Sequence, residues 1–298
     1  RVGRAGHRPH ALTAMGDDTT EAPFTLRDGL NIALFDWPLP SRRRPRGVVL
    51  IVHGLGEHAW RYDPLAQRLN EWGFAVRAYD QRGHGDSGGQ RGVLPDDDAL
   101  LDDLCEVLED TRRHIAEPWA CPLILMGHSM GGLVAATWVL RGSLPVDALV
   151  LSSPALDAGI GPLHKRLIAL LLRWVPNLTL SNGLDPRQLS HDPAVVAAYQ
   201  KDKRVHDRIS ARLARFIDAN GPAVVAAAPG WTVPPLLLYA GADRLVRPDG
   251  SRAFAAVAPR EVVTSQCLEG QFHEIFNEAD PSLSYAALRV WLDQLAPA

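Results

Sequence analysis

The chain has 298 residues, 46% of them hydrophobic and 22% charged, with a formal charge of -3. That length is enough to bury one large core, and the weakly acidic balance supplies no basic field, so no nucleic-acid partner is expected. Cys105, Cys121 and Cys267 form no C-x-x-C pair, which argues against a disulfide framework or zinc ribbon and for reduced thiols in a cytoplasmic setting.

Residues 1–23 contain arginines but no apolar run of the kind a secretory signal needs, and are expected to form a disordered extension. No uninterrupted apolar stretch approaches the ~18 residues of a membrane-spanning helix. From Phe24, FTLRDGLNIALFDW places the turn pair Asp28-Gly29 between two alternating runs and predicts an antiparallel hairpin. Near-continuous apolar runs follow at Val48–Val52, Phe74–Tyr79, Pro122–Met126, Ala148–Ser152, Pro235–Ala240 and Glu261–Leu268, as in strands buried on both faces. Helical periodicity lies between them at Asp63–Trp72, Asp96–Ile115, Met130–Leu140, Gly250–Val257 and Ser282–Leu295. The alternation predicts an α/β fold with a mostly parallel central sheet flanked by helices. It breaks between Ala155 and Val233, where helical patterns at Leu163–Val175, Ala194–Tyr199 and Ile209–Ala219 occur without a convincing strand. The expected organisation is therefore a core of residues 24–154 and 234–298 carrying a helical cap of residues 155–233.

Two stretches fit G-x-S-x-G: GDSGG around Ser87 and GHSMG around Ser129. A nucleophile elbow needs a strand entering, a sharp turn with serine at its apex, and a helix leaving at once. PLILM enters GHSMGG and GLVAATWVL leaves it with helical periodicity, whereas Ser87 sits in a Gly-rich loop with neither flank. GDSGG also surrounds the serine of trypsin-like proteases, but those are all-β, usually disulfide-stapled domains in which His and Asp precede the serine. Ser129 is the candidate nucleophile, and DQRGHGDSGG a loop after a parallel strand.

A serine hydroxyl needs an imidazole to accept its proton and a carboxylate to hold that imidazole in the right tautomer. In α/β-hydrolases these follow in the order Ser, acid, His on loops at strand C-termini. Asp243 lies three residues past a strand ending at Ala240, and His273 five residues past Leu268. Among rival acids, Asp249 fits a helix start and Asp147 precedes its strand at the wrong end. His53, His58, His84 and His128 also lie in marked loops; His53 is expected to support loop geometry. The oxyanion hole of this fold combines the N–H after the nucleophile, here Met130, with one from the HGLG loop, here Leu55. HGLGEH matches no helical H-E-x-x-H, so neither a metal nor a cofactor is expected.

HGLGEHAWRYDPLA, DQRGHGDSGG, GHSMGG, SPAL, GADRLVRPDGSRAF and HEIFNE, read in order from about Phe24 to Ala296, resemble the monoacylglycerol lipase and lysophospholipase group of the α/β-hydrolases. The resemblance implies nucleophile Ser129, acid Asp243, base His273 and oxyanion donors Leu55 and Met130. One departure is in the cap: SHDPAVVAAYQKDKRV carries Lys203 and Arg204 where relatives often have a Pro-Leu pair.

In HKRLIALLLRWVPNL the apolar residues surround much of the helix. One face is expected to pack on the body; the other, with Leu167, Leu171 and Trp174, is expected to bind substrate as an acyl tunnel or to touch lipid surfaces transiently, flanked by Lys165, Arg166 and Arg173. The basic segment KDKRVHDRISARLAR reads as a solvated face or as a guide for an anionic head group. The expected activity is hydrolysis of single-chain lipid esters, foremost monoacylglycerols, through an acyl-enzyme. Alternatives on the same triad are a lysophospholipase or a short-chain or aromatic carboxylesterase; a non-catalytic receptor or scaffold is a further alternative of another class.

Overall fold

The computed structural model describes residues 19–40, 43–142 and 144–297. Eight strands form the main sheet: β1 (Thr20–Thr25), β2 (Asn31–Trp37), β3 (Gly47–Val52), β4 (Phe74–Tyr79), β5 (Leu123–His128), β6 (Ala148–Ser152), β9 (Pro235–Ala240) and β10 (Thr264–Leu268). Their order is β1-β2-β4-β3-β5-β6-β9-β10, antiparallel at the β1–β2 and β2–β4 pairs and parallel elsewhere. The first pair is the expected hairpin, with Gly29 at φ 87°. The expectation of disorder through residue 23 is corrected for Thr20–Pro23, which pair with Ala33–Asp36 in β1; an exposed edge strand lacks the apolar alternation that would have marked it. The part of that expectation covering residues 1–18 lies outside the described residues.

The apolar runs of β3, β4, β5, β6 and β9 are buried throughout because helices cover both faces. Alternate residues point to opposite sides. Val48, Leu50 and Val52 join a core with α2 (Ala99–Thr111), α4 (Met130–Arg141) and α8 (Pro248–Val257). Val49 and Ile51 face α1 (Asp63–Glu71) and α9 (Ser282–Leu295). After α2, a π turn (Arg112–Ala116) and the short α3 (Glu117–Trp119) lead into β5.

Between β6 and β9 the chain forms α5 (Pro162–Trp174), β7 (Thr179–Ser181), α6 (Pro193–Lys201), β8 (Arg208–Ser210) and α7 (Ala211–Ala227). Two expectations are corrected here. β7 and β8 pair antiparallel; three-residue strands are too short to show a period in sequence. α7 is not cap alone: Leu213, Phe216, Ile217 and Val224 lie in the same core as α4 and α8, so it serves as the crossover helix between β6 and β9. The part of the insertion that rises above the sheet therefore ends near Ser210 rather than at residue 233.

Candidate active site

β5 ends in a turn at Ser129, whose backbone adopts φ 53° and ψ -119°, and α4 begins at the next residue. An L-residue at that φ is strained, and the turn is held from outside. Ser129 N–H donates to Ser152 O at 3.0 Å, and Ser129 O accepts from Ala155 N–H at 2.9 Å. The flanking glycines answer a packing demand. A Cβ on Gly127 would lie 2.3 Å from Gly131 O, and one on Gly131 would lie 2.1 Å from Val52 O. Met130, first in α4, has an N–H without an intrahelical partner, and it lines one cavity with Leu55, Ser129 and His273.

The HGLG loop is fixed by buried groups. His53 Nε2 accepts from Gln81 N–H at 2.9 Å, which leaves Nδ1 to donate to Gly54 O at 2.7 Å. Burial holds that imidazole neutral, its pKa lowered to about 3. Glu57 Oε1 accepts from Gly54 N–H at 2.5 Å and from the Tyr62 hydroxyl at 2.7 Å. Arg61 donates to Glu57 Oε2 at 2.6 Å and forks onto both oxygens of Glu274 at 2.6 and 2.7 Å. Burial alone would raise the Glu57 pKa, but Arg61 beside it brings it to about 2. This ion triad ties the HGLG loop to the residue after His273. Sequence reasoning missed Glu57, Arg61 and Glu274 as site residues, although all three lie in the quoted HGLGEHAWRY and HEIFNE stretches.

Asp243 follows β9 by three residues. Its Oδ1 accepts from Leu245 and Val246 N–H at 2.9 and 3.0 Å, and its Oδ2 accepts from His273 Nδ1 at 2.6 Å. Both side chains are buried. Burial disfavours the imidazolium, but the Asp243 charge and hydrogen bond outweigh it and raise the His273 pKa above its ordinary value. The same pairing, against burial, lowers the Asp243 pKa. Among the described residues no hydrogen bond joins Ser129 to His273; in resting enzymes that contact is often long and tightens around substrate. The imidazole of His128 packs 4.7 Å from that of His273, and its Nδ1 lies 3.0 Å from Ser152 Oγ.

The rival residues have other places. Ser87 is buried, donating to Asp80 O at 2.5 Å and accepting from Ala33 N–H at 2.8 Å. Asp147 accepts from Leu123 N–H at 2.8 Å at the start of its strand, and Asp249 pairs with Arg252 at 3.0 Å on α8. His58 pairs with Asp202, and His84 packs between His53 and His206.

The cavity has a volume of about 470 Å³. Ala158, Ile160, Leu184, Leu189, Ile209 and Ile217 contribute apolar wall, and Glu57, Asn182, Tyr199 and His206 polar wall. Leu167, Leu171 and Trp174, expected to bind substrate, do not line it; they lie on α5, which buries no residue and exposes Leu167 and Trp174. The helix lies along α7 with Ile168, Leu171 and Leu172 half-buried, as expected of the face that packs on the body, while Leu163, Leu167, Leu170 and Trp174 face outward. Among the described residues no Lys or Arg lines the cavity; the basic segment reaches it through Asp202, Val205, His206, Asp207 and Ile209, and none of its cations does. Arg204, the departure noted in the cap, binds back to Asp202 at 3.2 Å.

The sequence matches the family described as serine aminopeptidase S33, Hydrolase_4, over residues 43–280. The chain belongs to this family. It is 36% identical over 255 residues to the monoacylglycerol lipase of Mycolicibacterium smegmatis, covering 83% of this chain and 88% of the relative. To the monoglyceride lipase of Rattus norvegicus it is 31% identical, covering 78% of this chain and 77% of the relative. The crystal structure of the Paleococcus ferrophilus monoacylglycerol lipase superposes with a TM-score of 0.78 at 34% identity, covering 89% of this chain and 99% of that one. The protein is thus a serine ester hydrolase of the α/β-hydrolase fold, in the monoacylglycerol lipase-like group read from its motifs.

Proposed function

We propose that the protein hydrolyses single-chain lipid esters, monoacylglycerols foremost, with Ser129 as nucleophile, His273 as general base and then acid, and Asp243 as its orienting carboxylate. The observation that carries this reading is that the strained elbow at Ser129 and the Asp243-paired His273 line one cavity with two candidate oxyanion donors. Neutral His273 takes the Ser129 proton as Oγ attacks the ester carbonyl, and Leu55 and Met130 N–H groups hold the oxyanion. The imidazolium then protonates the leaving alcohol, and water repeats the sequence on the acyl-enzyme. The apolar wall suits an acyl chain, and a wall without cations suits a neutral leaving alcohol over a phosphoryl head group. The names of the relatives agree with a glycerol ester.

α5 is the proposed lipid-facing element. Leu163, Leu167, Leu170 and Trp174 are exposed on it, with Lys165, Arg166 and Arg173 among them, the make-up of a helix that lies in a membrane interface. No helix of the described residues is long and apolar enough to cross a membrane; a cytoplasmic setting is proposed with all three cysteines free. The test is hydrolysis of monooleoylglycerol, lysophosphatidylcholine and p-nitrophenyl butyrate by the wild type, Ser129→Ala and Ser87→Ala. Ser129→Ala abolishes hydrolysis, Ser87→Ala retains most of it, and the monoglyceride is preferred. Activity surviving in Ser129→Ala refutes the nucleophile; activity on the short ester alone refutes the substrate.

A further inference from the structure

The cap is fastened to the core at two places, and each falls on a loop of the proposed catalytic machinery. On one side, Leu189–Asp192 lies against the loop carrying His273. Leu189 O accepts from Glu274 N–H at 2.8 Å, and Ser190 Oγ donates to Asn277 O at 2.8 Å. Glu278 is only 3% exposed and takes up four donors. These are the N–H groups of Phe272 at 2.6 Å, Ala279 at 3.1 Å and His191 at 3.1 Å, with His191 Nδ1 at 3.0 Å. The His191 ring also stacks on Phe272, 3.7 Å between centroids, and Phe272 immediately precedes His273.

On the other side the segment grips the loop carrying Leu55. His206 N–H donates to Gly56 O at 2.9 Å, and buried His58 places Nε2 2.9 Å from Asp202 Oδ2. Arg204 holds Asp202 and comes within 3.8 Å of Asp86 in the GDSGG loop. The nine-residue helix α6 joins the two attachments, N-capped by Asp192, which accepts from Ala194 N–H at 2.8 Å. α5, by contrast, touches neither loop among the described residues; it has no fully buried residue and lies along α7, with a Lys165–Asp218 pair between the two helices.

We propose that Leu189–His206 is a positioning bracket, setting the His273 loop through His191 and Glu278 and the Leu55 loop through Asp202 and His58. It acts on the chemical step, and lipid contact falls to α5. The physical reason is that base and oxyanion donor sit on irregular loops, where a shift of about 1 Å lowers rate on the order of a hundredfold; both loops have part-buried hydrogen bonds completed by the same cap segment. The inference rests on the triad proposed above.

The experiment uses p-nitrophenyl acetate, whose acyl group is too short to need the cap, with the full chain and its His191→Ala and Asp202→Ala variants. His191 is half-exposed, so its loss leaves the fold intact, checked by thermal unfolding. Each variant lowers kcat about tenfold with KM within about twofold. His191→Ala also moves the acid limb of kcat/KM downward, because a loosened Asp243 contact raises the His273 pKa less; His128, Glu274 and Glu57, the other groups facing His273, are unchanged. Asp202→Ala leaves that limb in place. Wild-type kcat on the short ester in both variants, with only KM for monooleoylglycerol altered, makes the segment a lid and overturns the proposal. Fluorophosphonate labelling separates the readings: no label on Ser129 of the wild type overturns the triad and this inference together, whereas label with unchanged short-ester kcat overturns this inference alone.

Discussion

Gly131→Ala probes the elbow most directly. The added Cβ would meet Val52 O at 2.1 Å and His53 O at 2.4 Å, both backbone atoms, whereas ordinary contact begins at 3.4 Å. α4 and the end of β3 must therefore part by about 1.3 Å, in an interior packed at crystal-like density. Overpacking of this kind costs about 1–3 kcal/mol, and no flexible side chain is present to give way. Because Met130 is the neighbouring residue, its N–H moves with the helix start, and loss of one oxyanion donor lowers kcat roughly 10²–10³-fold. Equilibrium urea unfolding and steady-state kinetics on p-nitrophenyl butyrate measure the two effects in one preparation. The expected result is a lowered midpoint together with a kcat loss exceeding any change in KM. A variant with wild-type midpoint and kcat would falsify the close-packing account of the G-x-S-x-G glycines.

Arg61→Leu strands Glu57 and Glu274 in the interior, where both side chains are only 4% exposed; losing one partner of a buried ion network costs about 3–5 kcal/mol. Replacing both carboxylates by Gln in the same chain recovers much of that loss, and urea unfolding that shows no recovery refutes the charge argument. For pH dependence the base works only when neutral, and its pKa is raised above 6.5, so the wild-type acid limb of kcat/KM has its midpoint above 6.5. Asp243→Asn removes the raising charge and leaves burial, which lowers the pKa; the midpoint then falls and kcat drops about 10⁴-fold. A midpoint that stays in place rules out Asp243 as the partner of the titrating group.

The sheet was legible because its central strands are buried on both faces, and Val48–Val52 or Pro235–Ala240 can hardly be read otherwise. The elbow was legible because GHSMGG has a strand before it and a helix after it, while GDSGG has neither; Ser87 proves to be a loop fastener. β7 and β8 escaped notice because three residues show no period; α7 was read as a helix but given to the cap, because its apolar face looks the same whether it packs on a cap or on α4. The Glu57–Arg61–Glu274 triad could not be read from spacing, since Arg61 and Glu274 meet only when the strands bring the first and last loops together. Leu167, Leu171 and Trp174 were placed on the correct helix, but sequence hydrophobicity does not say which side of a helix apolar nearly all round turns to its neighbour.

The long excursion between β6 and β9 also bears on how the molecule is assembled. β3, β4, β5 and β6, with the elbow among them, are joined by crossovers each shorter than the excursion between Ser152 and Pro235, which must be closed into a loop before β9 and β10 dock. Each doubling of such a loop adds only about 0.6 kcal/mol of entropy, so the insertion is cheap at equilibrium, but non-local pairing of this kind forms late. Asp243 and His273 arrive with those last strands. The expected order of refolding is therefore the serine half of the site before the half that activates it, with ester hydrolysis recovering after the helical circular-dichroism signal; simultaneous recovery of the two would overturn that order.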